Sequence, residues 1–127
     1  MLIFGNKYIE SPQFITISAI EEIETTAPND ILYLKNFSAP YLLAKHCAKN
    51  NLHYAVKVNS IKEALFANAL SASYIIAKTA LAKELQSIAD NYLWDSKVLA
   101  IISNDNDLET IAKASIDGAI YKNHIKD

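Results

Sequence analysis

The chain has 127 residues, a net charge of −2, 51% hydrophobic and 20% charged residues. This is a globular composition of single-domain length, able to bury about two-thirds of its unfolded surface, and it excludes a disordered chain. All 12 basic residues are lysine; without arginine forks, base-specific nucleic-acid recognition is disfavoured and no nucleic acid is expected as partner.

The first thirty residues stand apart. "LIFGNKYI" and "QFITIS" read as two short strands joined around Glu10, Ser11 and Pro12, a β-hairpin. Ser18 and Glu21 then have capping-box spacing before "AIEEIETT", a two-turn helix. "APND" (27–30) leads into the main unit, so residues 1–30 are expected as an extension on an α/β domain spanning 31–127. The leading apolar run "MLIF" is too short for a signal peptide, and no run approaches a membrane span. A cytoplasmic protein with no membrane contact is the expectation.

From Ile31 the pattern alternates between two periods. "ILYLKN" (31–36) is a strand, and Ser38 with Pro40 in the first turn opens a helix through "YLLAKHCAKN". "LHYAVKV" (52–58) is the next strand, and Ser60 with Glu63 makes a capping box before "IKEALFANAL". "ASYIIA" (72–77) is a third strand, after which Thr79 caps "ALAKELQSIADNYLW". "KVLAIIS" (97–103) is the most continuous apolar strand; Asn104 or Asp105 caps the following helix, and "GAIYK" (118–122) closes the series. Five strands alternating with four helices predict a three-layer α/β sandwich, with a five-stranded parallel sheet and helices on both faces.

Residues with chemical potential are sparse. Cys47 is the only cysteine, which rules out an internal disulfide or a cysteine-based metal cluster. His46 is its neighbour, but adjacent helical residues point about 100° apart, and a half-buried inert thiol is expected. The histidines 46, 53 and 124 lack metal-ligand spacing, and "NDND" (104–107) lacks the glycine and glutamate of a calcium loop. No metal site is expected. Only Gly5 and Gly118 are present, too few for a phosphate-cradling loop, so no nucleotide cofactor is expected either. Trp94, after Tyr92 and Leu93, reads as packing or a partner surface.

The closing "SIDGAIYKN" and the strand "VLAIIS" are similar to the end and the fourth strand of the receiver domain of two-component response regulators. The resemblance covers roughly residues 31–124 and implies a flavodoxin-like fold with Ser103 and Lys122 at the active edge. Where receivers carry the magnesium-binding acidic pair, this chain has Lys35 and Asn36; where they carry the phosphoacceptor aspartate, it has Lys78. The resemblance therefore implies a degenerate receiver that cannot use aspartyl phosphorylation. It also implies signalling, and pairing with a protein partner or a second copy through the face from about Asp105 to Asn123.

Physical reasoning leaves other readings open. Ligands of open parallel sheets sit beyond the carboxyl ends of the strands, where Lys35, Lys78, Ser103 and Lys122 all fall. Those residues are the ligand-binding candidates for a small anion, and no catalytic residue is assigned. "VNSIKEALFANALSASYII" is also similar to a strand–helix–strand unit of (β/α)8 enzymes, some of which use a lysine at such a strand end to attack carbonyls. Five strands, however, make only part of a barrel. A non-catalytic interaction or regulatory module is the leading expectation.

Overall fold

The computed structural model describes residues 1–39 and 41–125; the expected first-turn role of Pro40 lies outside them. Seven strands run in the order β1 (Leu2–Phe4), β2 (Phe14–Thr16), β3 (Ile31–Leu34), β4 (Tyr54–Lys57), β5 (Tyr74–Lys78), β6 (Lys97–Ile102) and β7 (Gly118–Tyr121). Four helices connect the later strands: α1 (Leu42–Lys49), α2 (Ile61–Ala69), α3 (Thr79–Tyr92) and α4 (Asp107–Lys113). Short 3-10 turns cover Ile20–Thr25 and Lys122–His124.

All neighbours are parallel, in the order β1-β7-β6-β5-β4-β3-β2. The α/β class and the parallel sheet are as expected, but the sheet has seven strands rather than five. The expected N-terminal hairpin does not form. Leu2–Phe4 pairs with β7 at one edge, and Phe14–Thr16 pairs with β3 at the other. Three-residue strands are too short for periodicity to reveal their neighbours, and a turn rich in Ser and Pro suits a long crossing as well as a tight return.

Strand alternation divides the buried residues into two sets. On one side Leu32, Tyr54, Val56, Ile75, Val98 and Ala119 pack with helical Ala44, Cys47, Ala64, Ala67, Leu85 and Ile111. On the other side Tyr33, Ala55, Ile76, Leu99 and Ile120 pack with Phe4 and Phe14, without a residue from α1 to α4. The four helices therefore cover one face, not two. Consecutive parallel strands joined by crossovers of one hand put every connection on the same side, and the other side must bury its apolar residues against itself. It does so by curling into a half-barrel. Phe4 and Phe14, from the two edge strands, meet at 5.3 Å between ring centroids, and Tyr74 from mid-sheet lies 5.2 Å from Phe4.

Gly118 makes the β1 edge possible. A Cβ there would lie 2.7 Å from both the Leu2 Cβ and the Leu2 carbonyl oxygen, so its place in the sheet is a close backbone approach. Gly5 ends β1 at φ +91°, a left-handed conformation that favours glycine.

Helix starts follow the expected chemistry at one position and depart from it at others. Glu63 N–H donates to Ser60 Oγ at 3.1 Å, while Glu63 Oε1 accepts from Asn59 N–H at 2.8 Å, a box displaced by one residue on its return arm. Ser18 donates instead to Glu22 Oε1, and Ala19 is the residue before the 3-10 turn. Tyr41, in a left-handed conformation, starts α1 in place of Ser38; its ring stacks between Phe37 and Phe66. Lys78 itself precedes α3 without a side-chain cap, so Thr79 is the first helical residue rather than the cap. Asn106 starts α4 in place of Asn104 or Asp105, because the Asp107 carboxylate folds back onto the Ser103 and Asn104 N–H groups.

Candidate functional site

A sheet whose strands all run one way gathers every strand end of one kind on one rim. The carboxyl rim collects the residues at or just after each strand end: Gly5 to Lys7, Ile17 and Ser18, Lys35 and Asn36, Lys57, Lys78, Ser103 and Lys122. The open mouth at this end is where α/β barrels bind ligands.

The four candidate residues lie on this rim, each exposed, but they do not form one cluster. Lys35 lines a hollow of about 240 Å3 with Ser18, Asn36 and Ser38. Ser103 lines a separate, wider hollow of about 560 Å3 with Lys7, Asn104 and Tyr121. Lys78 and Lys122 line neither of these two. Lys78 pairs in register with Ile101 on β6, two residues before Ser103. By strand alternation it shares the parity of Ile76, on the concave side, and Lys57 shares that of Ala55.

The wider hollow holds a polar network absent from the sequence reading. Tyr121 donates its hydroxyl proton to Asp105 Oδ1. Asn6 Nδ2 donates to the Tyr121 oxygen at 2.9 Å and to Asp105 Oδ1 at 3.2 Å. The Tyr121 hydroxyl is pushed up from its ordinary pKa of 10.0, first by its hydrogen bond to Asp105, while the Asn6 bond works the other way. Tyr121 therefore stays a neutral donor at physiological pH, suited to orienting a carboxylate rather than to taking up a proton. Ninety-nine residues separate Asn6 from Asp105; only the pairing of β1 with β7 brings them together, and no local pattern signals it. The polar stretch "NDND" marks the loop but not its partners.

No protein-family model matches this chain, and no curated protein matches it significantly.

The remaining chemical residues have structural partners. Cys47 is fully buried between α1 and the sheet, deeper than expected, and burial pushes its thiol from 9.0 up to about 11. At neutral pH it is a thiol and not a nucleophile. His124 Nε2 lies 2.8 Å from the Pro12 carbonyl and its ring meets Phe14 at 5.3 Å, which ties the chain after β7 to the segment before β2. His46 contacts Asn50, and His53 contacts Ser73. Among the described residues no group of three or more His, Cys, Asp or Glu side chains could hold a metal ion, and no helix is long and apolar enough to cross a membrane. Trp94 is partly buried against the helix-side core.

Proposed function

We propose that the chain is a non-catalytic binding module that takes a small anion of phosphate or carboxylate type at the carboxyl rim of its half-barrel. The observation that supports this is the singly wound order of the sheet, with Lys35, Lys57, Lys78 and Lys122 at the ends of four strands that share one rim. Asp105 accepts from Tyr121 and Asn6, and Asp107 accepts from two backbone N–H groups. Ammonium groups spread along one rim raise the local concentration of anions and steer them toward it. Ser103 adds a neutral hydrogen-bonding group.

The test is an NMR titration of isotope-labelled protein with phosphate, acetyl phosphate, nucleotides and keto acids. Saturable shifts centred on residues 35, 78, 103 and 122 are expected, with affinity reduced roughly fivefold in Lys78→Ala, the scale of one exposed charge contact. Absence of saturable shifts on that rim overturns the reading. Borohydride trapping of a keto acid on Lys78 would replace it with a carbonyl-processing enzyme.

A second reading, an interaction or regulatory module of receiver type, is favoured by a different observation. Leu42 of α1 and Ile61, Leu65 and Phe66 of α2 expose large apolar side chains on the helical face, Leu42 at 64%. In this reading Lys78 stands where an aspartyl phosphate would form, and the partner is a protein or a second copy. A concentration-dependent mass in sedimentation favours self-association; a mass that stays monomeric at every concentration removes the second copy as partner.

A further inference from the structure

We propose that the opposite, amino-terminal rim holds a separate binding site for an amino-acid-sized zwitterion carrying an apolar side chain. A cavity of about 520 Å3 opens there, below the starts of β4, β5 and β6. Its walls come from His53, the turn at Ser71 to Ser73, and the segment from Tyr92 to Lys97 that leaves α3.

Three features of the lining define the ligand. First, Asp95 and Lys97 both line the cavity and both are exposed, yet neither forms an ion pair with a described residue. Asp95 lies in the bend before β6 and Lys97 is the first residue of that strand, so both charges stand at the mouth of the cavity without pairing with each other. A bare anion would meet Asp95, and a bare cation would meet Lys97. A molecule with both charges satisfies the pair.

Second, the polar groups between them are ordered. His53 Nδ1 lies 3.2 Å from Ser73 Oγ. Ser96, 2% exposed, places its hydroxyl 2.6 Å from the Ala72 carbonyl and 3.1 Å from Asn68 Oδ1. The single Ser96 hydroxyl proton goes to the nearer Ala72 carbonyl, and the Asn68 amide, also in the lining, is held against the Ser96 oxygen. A network held in place before binding costs little further ordering when a ligand arrives.

Third, the cavity has an apolar wall. Trp94 is partly buried against the helix-side core, and Leu93 beside it is held in a left-handed conformation at 85% exposure, with Tyr92 at 75%. Leu93, Trp94 and Lys97 also border a neighbouring hollow of about 420 Å3 with Asp90 and Asp117, so the apolar residues form a ridge rather than a closed floor. A side chain as large as a phenyl group can lie along that ridge while the charged end sits between Asp95 and Lys97.

The probe is L-phenylalanine, titrated into the labelled full chain. Saturable shifts are expected on Ser71 to Ser73 and Trp94 to Lys97, with a Kd in the roughly millimolar range that a ligand of this size reaches through exposed charges. Phenethylamine, which lacks the carboxylate, and 3-phenylpropionate, which lacks the ammonium, should each bind roughly fivefold or more weakly. Asp95→Asn and Lys97→Met should lose affinity for L-phenylalanine to the same degree. Both positions are exposed, and an unchanged amide spectrum away from the cavity verifies that the variants are folded. No saturation at these residues, or equal binding of either single-charge analogue, overturns the proposal. Shifts confined to residues 35, 78, 103 and 122 overturn it as well, by assigning the ligand to the other rim.

Discussion

Phe4 and Phe14 come from opposite edges of a seven-stranded sheet and meet edge to face, with ring centroids 5.3 Å apart and planes inclined by 64°. No strand pairing joins β1 to β2. The seam of the half-barrel is therefore held by side chains, and these two rings are its centre. Truncation of either should cost about 3 kcal/mol or more, the usual scale for a buried phenylalanine replaced by alanine. Urea denaturation of Phe4→Ala and Phe14→Ala measures it. The double variant should lose less than the sum of the singles, because the two rings share one contact. Full additivity would mean that the seam is held elsewhere.

Gly118 tests the same edge from the backbone. In Gly118→Ala the new methyl would meet the Leu2 carbonyl, an atom that cannot swing aside. We expect a loss of about 1–3 kcal/mol from overpacking, concentrated on β1. Hydrogen exchange should show faster exchange at Leu2 N–H, which donates to Asp117 at 2.9 Å, with the amides of β5 protected as before. Unchanged protection at Leu2 would show that β1 can move outward freely.

Cys47 carries a pH dependence whose sign follows from its burial. Its folded pKa of about 11 lies above the ordinary 9.0, so the folded state holds its proton where the unfolded state releases it. The stabilisation is complete below pH 9 and is lost as pH rises toward 11, a change of roughly 2 kcal/mol. Tyr54, also pushed up by burial, adds to the loss at still higher pH. Chemical denaturation between pH 7 and 10.5 should show this decline, and Cys47→Ala should flatten its first part. Thiol reagents should label Cys47 only at the rate of unfolding.

The Tyr121–Asp105 hydrogen bond predicts a spectroscopic change. In Asp105→Asn the phenol loses its main cause of upward displacement and keeps the Asn6 contact that opposes it. Its titration should move to lower pH, observed as an earlier phenolate resonance by NMR. Stability should change little, because the group is exposed and the bond is formed at the solvent edge. No displacement of the Tyr121 titration would mean that the contact is absent in solution.

Period and punctuation in the sequence identified the strands and helices from Ile31 onward, because hydrophobic alternation and capping are local signals that a short window contains. "SYIIAK" ends as a strand with Lys78 at its last position, and "KVLAII" forms β6 beside it. Local signals also located Lys35, Lys78, Ser103 and Lys122 at strand ends, since a parallel sheet leaves its carboxyl ends on one side whatever its order. Strand order was beyond their reach. Alternation says that Ile76 and Ala77 face opposite ways but not which of them meets a helix, and three-residue strands such as "LIF" and "FIT" carry no period at all. The tertiary structure decided that β1 and β2 part to opposite edges, that every helix lies on one face, and that Asn6 meets Asp105 across 99 residues. The cause is long-range packing. The concave face has no helix to cover it, and only the curl that brings Phe4 to Phe14 removes its apolar side chains from water.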